Sequence, residues 1–164
     1  MNVKKVLIVS DSHRNTANVL RAIEKEKPFD LLVHLGDLED STHEIEAAAG
    51  LGCSCYFVRG NCDLGLELPT FTEFYLGPHH VFAAHGHRYQ VHYGTENMEL
   101  TAKMYDCDVV MFGHTHVPLI KKKKDVLLLN PGSISLPRQN GGEKTYIVLR
   151  FGEKGMLLPE LKHL

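Results

Sequence analysis

In the N-terminal run VKKVLIVSDSH, residues 3–13, an apolar segment ends abruptly in polar side chains. Residues 3–9 are rich in β-branched and apolar residues, so they predict a buried strand. Asp11 and His13 follow directly after the end of that strand. Two further strand-like runs of the first 60 residues end in the same way, in LGDLED and RGNCD. The repetition indicates that these polar groups share one place in the fold.

The first 60 residues predict alternating strands and helices. Asn15 or Thr16 can cap the first helix, and Ser41 with Glu44 has the spacing of a capping box for the second. Short connections of this kind make parallel βαβ units, in which functional groups gather beyond the carboxyl ends of the strands. The predicted elements are, in order, a strand at 3–9, a helix at 15–27, a strand at 30–35, a helix at 41–49 and a strand at 53–58.

The second half of the chain predicts hairpins and one more helix. Gly77 and Pro78 mark a hairpin turn, and Pro159 restricts the last strand to a sheet edge. The basic run 121–124 favours a solvated hairpin turn over a binding patch. Because no repeat or linker interrupts the pattern, we expect a single α/β domain (α+β in some schemes) over residues 1–164. The predicted elements are strands at 70–76 and 80–84, a helix at 95–105, and strands at 108–112, 117–121, 126–129, 145–151 and 155–162.

Composition excludes several function classes. The net charge of −2 gives no general attraction to nucleic-acid phosphates or anionic membranes. No apolar run approaches the ~20 residues that span a bilayer, and the N-terminus lacks a signal-peptide pattern, so we expect a cytoplasmic protein without a membrane partner. A sequence-specific nucleic-acid partner is not expected either. The four cysteines show no CxxC pairing, whereas 11 histidines in 164 residues suggest a metal site.

Seven ligand-type side chains lie at or just past the ends of predicted strands. Carboxylates, imidazoles and an amide oxygen are ligands for divalent transition metals. In two pairs the spacing of two puts both side chains on one side of an extended segment, so that each pair could bind one ion from one direction. The seven are Asp11, His13, Asp37, Asn61, His85, His114 and His116, and the pairs are Asp11 with His13 and His114 with His116.

The remaining histidines have no such context. Six of them are expected to be packing or surface residues, namely His34, His43, His79, His80, His92 and His163. His87, in the run HGH, is close enough to the predicted site to contact a metal-binding residue and orient it. An exposed position is equally compatible with the sequence.

The ordered motifs D-x-H, G-D, G-N-x-D, H-G-H and G-H-T-H resemble those of the calcineurin-like metallophosphoesterase superfamily. The run NPGS at 130–133 also recurs in small members of that family. The chain length and the cysteine in GNCD look most like its compact YfcE-like or MJ0936-like phosphodiesterase branch. The resemblance implies the metallophosphoesterase fold, a four-layer α-β-β-α sandwich with mixed sheets. It also implies two divalent metal ions per chain, with Mn²⁺ favoured and Ni²⁺, Zn²⁺, Fe or Co²⁺ as alternatives.

The same resemblance implies the ligands and the chemistry. Two divalent ions ~3.5–4 Å apart lower the pKa of a shared water, and the resulting hydroxide can attack phosphorus. Asn61, His85 and Cys62 are the candidate catalytic residues. In the ligand set that the family implies, the first ion is held by Asp11, His13 and His116, the second by Asn61, His85 and His114, and both by a bridging Asp37.

Cys62 departs from the family pattern. Many members have histidine at this position, which is thought to protonate the leaving oxygen, whereas a thiol has a pKa of about 8.5 and no cationic form. Three interpretations stay open for Cys62: a small packing residue, which we prefer, a soft ligand or redox-sensitive thiol, and a nucleophile. Asp63 is expected to stabilise the turn or to orient a ligand from behind.

Two functions of different classes are compatible with these residues. The first is a metal-dependent phosphodiesterase acting on a small phosphodiester substrate, with a shallow site because the chain is short. The second is a non-enzymatic protein-binding scaffold of the same fold, as in the family relative Vps29. A scaffold has no need of all seven ligand positions, so their presence favours the enzyme. The sequence leaves a homo-oligomer open.

Overall fold

The computed structural model describes residues 4–164, so Val3, the first residue of the predicted N-terminal strand, lies outside the described residues. Ten strands and three α-helices are formed within this range. They are β1 (Lys5–Val9), α1 (Thr16–Glu26), β2 (Leu31–His34), α2 (His43–Ala49), β3 (Ser54–Phe57), β4 (Phe71–Leu76), β5 (His79–Ala84), α3 (Glu96–Met104), β6 (Val109–Met111), β7 (Pro118–Lys123), β8 (Val126–Pro131), β9 (Thr145–Phe151) and β10 (Leu157–His163).

The strands form two mixed five-stranded sheets. The first has the order β10-β9-β1-β2-β3, in which β1, β2 and β3 are parallel and β9 is antiparallel to both of its neighbours. The second has the order β4-β5-β6-β8-β7, in which β5, β6 and β8 are parallel and both edge strands are antiparallel. The predicted βαβ units and hairpins are therefore confirmed, and β10 with Pro159 lies at an edge.

Successive side chains of a strand point to opposite faces of its sheet, and this alternation explains the layers of the fold. On β1, Val6 and Ile8 pack into the core between the two sheets, whereas Leu7 and Val9 pack in a second core with residues of α1. On β5, Phe82 faces a third core that includes Met98 of α3. The order is thus helix, sheet, sheet, helix, which confirms the predicted four-layer sandwich. No helix within the described residues is long and apolar enough to cross a membrane.

The topology brings five loops together. β1, β2 and β3 are parallel, so their carboxyl ends lie at one edge of the first sheet, and β5 and β6 end in the same way in the second sheet. The loops that leave these strands carry the polar runs of the sequence analysis, at 10–13, 35–39, 58–63, 85–87 and 112–116.

Two local predictions are wrong. The second helix begins at His43 with Thr42 as its N-cap residue. The Ser41 hydroxyl accepts from the His43 N–H at 3.2 Å, whereas a capping box begun at Ser41 would engage the Glu44 N–H. The basic run is not a turn over its whole length. Lys121, Lys122 and Lys123 belong to β7, where pairing with β8 extends the strand, and the turn lies at residues 124 and 125.

Candidate metal centre

Two clusters of ligand-type atoms lie side by side where the five loops meet. Within each cluster, one donor atom from every member lies within 4.8 Å of the others. Asp37 stands between them, since its Oδ2 is 3.8 Å from His13 Nε2 and 3.4 Å from His85 Nε2. The first cluster consists of Asp11, His13 and His116, and the second of Asp37, His85 and His114.

The histidines of the G-H-T-H run are divided between the two clusters. His116 joins Asp11, with 3.2 Å between Nε2 and Oδ1, whereas His114 joins Asp37 and His85. The expectation that spacing of two directs both side chains at one ion is therefore wrong for this pair, whereas Asp11 and His13 do share a cluster. Spacing of two places side chains on one side only in extended backbone, and the backbone is left-handed at His114 and His116, with φ of 67° and 59°. Left-handed backbone alone does not set the outcome, since it also occurs at Asp11 and His13.

Left-handed backbone is concentrated at this centre. Non-glycine residues rarely adopt positive φ, and such strain persists only where the surrounding structure holds it in place. Of the 11 non-glycine residues with positive φ in the described chain, seven lie in the segments that directly follow β1, β2 and β6. They are Asp11, His13, Arg14, Asp37, Glu39, His114 and His116.

Acceptors behind the imidazole rings fix which nitrogen faces the centre. The Nδ1 atom of His85 lies 2.6 Å from the carbonyl oxygen of Leu35, and that of His116 lies 2.6 Å from the carbonyl oxygen of Leu136. A carbonyl oxygen can only accept, so each Nδ1 carries the proton and donates it. In the neutral rings the Nε2 lone pair is then directed inward, which is how metal-binding histidines are oriented.

The residues of the centre fit metal ions. Asp11 Oδ1 and His85 Nε2 are buried and have no hydrogen-bond partner among residues 4–164. His13 Nε2 and His116 Nε2 are 3.3 Å apart, and His13 Nδ1 is engaged by the Glu39 carboxylate at 2.5 Å. Inward lone pairs and unpartnered carboxylate oxygens at such distances are costly unless a cation lies among them. The donor set therefore suits divalent ions that accept nitrogen and oxygen ligands.

The charges of the centre agree with this interpretation. Burial alone would raise the pKa of Asp37, but His85 and the Cys62 N–H outweigh it and hold that pKa well below its usual value. Burial would lower the pKa of His85, but Asp37 and Asp11 raise it, so without an ion a proton on Nε2 meets part of the need for positive charge, and an ion would displace that proton. Burial, with His85 and His92 adding to it, lowers the pKa of His114 to about 4. At neutral pH the carboxylate is thus ionised and His114 is neutral, as metal binding requires.

The turn at 60–63 is built around Asp37. The Asp63 carboxylate accepts three backbone N–H groups, from Asp37 at 2.8 Å, Gly60 at 2.7 Å and Glu39 at 2.7 Å. A Cβ atom at Gly60 would lie 2.0 Å from Asp37 Oδ1, so glycine is required by the close approach of the backbone. Asp63 thereby joins the loop that carries Asp37 to the loop that carries Asn61.

The NPGS run supports the other side of the centre. The Asn130 side chain donates to the Gly113 carbonyl at 2.9 Å and accepts from the Gly132 N–H at 2.8 Å. The Ser133 hydroxyl donates to the Asp11 carbonyl at 2.8 Å. These buried bonds fix the loops from which Asp11 and the G-H-T-H histidines project.

Cys62 is part of the centre without the character of a nucleophile. Its N–H donates to Asp37 Oδ1 at 2.8 Å, and its Sγ lies within 4.8 Å of donor atoms of His13 and Glu39. Burial and then the Asp37 carboxylate raise the pKa of the thiol to about 11, so it is neutral at neutral pH. Asn61 lies at the exposed rim and donates to Cys62 Sγ at 3.2 Å.

Three further residues adjoin the centre: His87, and also His92 and Glu39, neither of which was predicted from the sequence to lie there. The His87 ring lies 5.4 Å from that of His85, and its buried Nδ1 has no hydrogen-bond partner in the described chain. His92, expected to be a packing or surface residue, lies with its ring 4.4 Å from that of His114. Glu39 engages His13, and its spacing of two from Asp37, the same spacing as in D-x-H, is the signal that could have identified it.

An open cavity adjoins the centre. It has a volume of about 430 Å³ and includes Cys62 and Asn61 in its wall. Arg14 and Glu39 contribute opposite charges, with Arg14 Nε 3.6 Å from Glu39 Oε2, whereas Leu64 and Leu66 contribute apolar surface. The cavity wall thus combines charged, polar and apolar side chains.

A four-layer sandwich with a histidine–carboxylate centre at one edge defines the metallophosphoesterases as a class. The chain belongs to the calcineurin-like phosphoesterase superfamily, whose domain model matches residues 5–154. It is 33% identical over 148 residues to a probable metallophosphoesterase, YsnB, of Bacillus subtilis, covering 88% of this chain and 82% of that one. It is also 32% identical over 100 residues to phosphodiesterase YfcE of Escherichia coli, covering 56% and 50%. The predicted family is therefore confirmed.

Solved structures agree in fold. A predicted phosphoesterase from Streptococcus pneumoniae superimposes with a TM-score of 0.80 at 23% identity, covering 99% of both chains. Vps29 from Entamoeba histolytica, solved in complex with Zn²⁺, superimposes with a TM-score of 0.75 at 18% identity, covering 97% of this chain and 98% of that one. At these identities the likeness concerns the fold alone.

Asp63→Asn should destabilise the protein although it changes neither size nor shape. An amide nitrogen would face at least one of the three backbone N–H groups that now donate to the carboxylate, which leaves a buried donor unsatisfied. We expect the free energy of unfolding to fall by about 1–3 kcal/mol, measured by urea denaturation. The exposed Asp125→Asn is the control and should stay within about 0.5 kcal/mol of wild type. Equal stability of both variants would contradict the role of Asp63.

Proposed function

We propose that this chain is a metal-dependent phosphodiesterase with a dinuclear centre. The observation that supports it most directly is the position of Asp37, whose Oδ2 atom lies within 4 Å of an inward nitrogen of each cluster. In this proposal Asp37 bridges the two ions. The other ligands are Asp11, His13 and His116 for one ion, and Asn61, His85 and His114 for the other.

The ions would supply positive charge for the phosphoryl oxygens and a hydroxide nucleophile near neutral pH. Other residues of the chain hold these ligands in position. Carbonyl oxygens behind His85 and His116 hold both rings, and Asp63 holds the loop of Asp37. Mn²⁺ is the ion we favour, with Ni²⁺, Zn²⁺, Fe and Co²⁺ as alternatives, since a mixed nitrogen and oxygen site follows metal availability.

The cavity beside the centre suits a small phosphodiester. Arg14 offers a guanidinium to the single negative charge of a diester, and Leu64 and Leu66 offer apolar contact to one of its organic groups. We place Asn61 and His85 next to the phosphoryl group, as ligands of the same ion, and Cys62 beside the leaving oxygen. The cytoplasmic location predicted from the sequence belongs to the same proposal.

The alternative is a protein-binding scaffold, as in Vps29. Metal binding by itself does not separate the two functions, because a Vps29 of this fold has been solved in complex with Zn²⁺. Sequence does favour the enzyme: relatives at 32–33% identity are named metallophosphoesterase or phosphodiesterase, whereas the Vps29 likeness is at 18%. Hydrolysis of bis(p-nitrophenyl) phosphate by the purified, Mn²⁺-loaded chain is the deciding assay. A scaffold would give no turnover above that of the free ion.

Asp37→Asn should reduce turnover more than the same change at a ligand of one ion. A neutral amide is a poor bridge between two cations, so both ions lose a ligand and its charge. Loss of residues that merely support ligands costs about 10–100-fold in metal affinity or activity, so we expect kcat to fall by more than about 100-fold, with a parallel loss of bound metal.

The matched control is Asp11→Asn, which makes the same chemical change at a ligand of one ion. It should retain more activity and more metal than Asp37→Asn when both are measured at saturating Mn²⁺. Near-normal turnover and metal content in Asp37→Asn would rule out the bridge.

Cys62 should determine which leaving groups the enzyme accepts. A neutral thiol is a poor proton donor, so the leaving oxygen must depart with little assistance, and aryl diesters should react far faster than alkyl diesters. Cys62→His places an imidazole beside the centre. General acid catalysis is typically worth about 10²–10⁴-fold, of which an introduced group would recover a part.

The measurement is a series of diesters with leaving groups of increasing pKa, assayed on wild type and Cys62→His at one Mn²⁺ concentration. We expect a steep dependence in the wild type and a shallower one in the variant. Cys62→Ser is the control and should keep the steep dependence. A flat wild-type series, limited by the chemical step, would mean that another residue protonates the leaving group, and His87 would be the first to test.

A further inference from the structure

Another set of ligand-type side chains lies on the outer face of the second sheet. Glu73 projects from β4, His80 from β5, and Cys107 lies between α3 and β6. We propose that Glu73, His80 and Cys107 form a separate binding site for Zn²⁺ or a similar borderline-soft divalent cation. This site is independent of the phosphodiesterase proposal and shares no residue with it.

The distances among the three residues match a shared ion. One donor atom from each lies within 4.8 Å of the other two, and His80 Nε2 is 3.4 Å from Glu73 Oε2. Nitrogen and oxygen ligands at ~2.0–2.2 Å from a tetrahedral Zn²⁺ are ~3.3–3.6 Å apart. The imidazole and the carboxylate therefore already have the separation that one ion between them requires.

The fold holds the imidazole and the thiol in place. Tyr75 lies opposite His80 in the β4–β5 pairing, and the two rings stack with centroids 4.4 Å apart and 6° between their planes. The backbone N–H of His80 also donates to Asp108 Oδ1 at 2.8 Å. Cys107 is buried, and its N–H donates to the Ala102 carbonyl at 2.8 Å. Little conformational freedom would be lost when these two residues bind an ion.

The donor types indicate which cation would bind. A thiolate, an imidazole and a carboxylate are ligands of Zn²⁺ and of Co²⁺, its usual spectroscopic substitute, whereas Mg²⁺ and Ca²⁺ prefer oxygen alone. In the metal-free protein the Cys107 thiol donates to the Tyr105 carbonyl at 3.5 Å, so binding would break that contact and release the thiol proton to solvent. Glu73 is exposed, which gives an ion access, and three protein ligands leave one position for water.

The proposed site is distant from the Asp37 centre. His80 lies near the start of β5 and His85 directly follows its end, so five residues of extended chain, ~16 Å, separate them. An ion bound here would link the β4–β5 hairpin to the segment between α3 and β6. Because it binds the folded chain, it should stabilise that chain by mass action.

The test is a Co²⁺ titration of the purified, metal-free full chain, followed by absorption. A thiolate bound to Co²⁺ gives a charge-transfer band in the near ultraviolet, and the band reports the site without any assay of turnover. We expect the band in wild type, its loss in Cys107→Ser and its persistence in Cys62→Ser. Cys62 is the matched control because its thiol lies near donor atoms of the other centre.

Glu73→Gln tests the proposed site even if Cys107→Ser does not fold. Glu73 is exposed, so its replacement leaves the core intact. Loss of a direct ligand should weaken Co²⁺ binding, read from the same band, by at least about 10-fold. The exposed Glu44→Gln on α2 should have no effect. No band in wild type, a band unchanged in Cys107→Ser, or an unchanged affinity in Glu73→Gln would each overturn the proposal.

Discussion

The structure around the candidate centre depends on one buried carboxylate, that of Asp37, facing imidazoles from both sheets. Burying an ionised carboxylate is costly unless positive charge and hydrogen-bond donors surround it. His85 on one side and the Cys62 N–H on another meet part of this requirement. A pair of cations would meet the rest. The surrounding loops hold the Asp37 carboxylate between the two ligand clusters.

The backbone of these loops is strained. Seven non-glycine residues of the centre adopt positive φ, and strained backbone of this kind costs of order 1–3 kcal/mol per residue in its least favourable forms. Gly60 and Gly113 admit no Cβ atom, because it would lie 2.0 Å from Asp37 Oδ1 and 1.9 Å from Ser10 Oγ. The four-layer core tolerates this strain because alternating apolar strands bury both faces of each sheet. Stability is thus supplied by the strands, and the loops at their carboxyl ends are arranged for binding.

The sequence predicts more of the fold than of the centre's geometry. Strand periodicity and the polar runs at strand ends predict the sheets and bring Asp11, Asp37 and His85 to one edge. The division of His114 and His116 between two clusters was not predicted from spacing, because the rule that side chains two apart share a side holds only for extended backbone, and neither residue is extended. The carbonyl oxygens that orient His85 and His116 belong to Leu35 and Leu136, 50 and 20 residues away along the chain. Such contacts carry no side-chain signal, so only the folded chain reveals them.

The most direct test of the central claim is a crystal structure of the chain purified without chelator and soaked in Mn²⁺, with ions located by anomalous scattering. We expect two Mn²⁺ ions per chain at the edge of the sheets, with Asp37 contacting both. A Mn²⁺-saturated crystal in which no ion contacts Asp37 would contradict it.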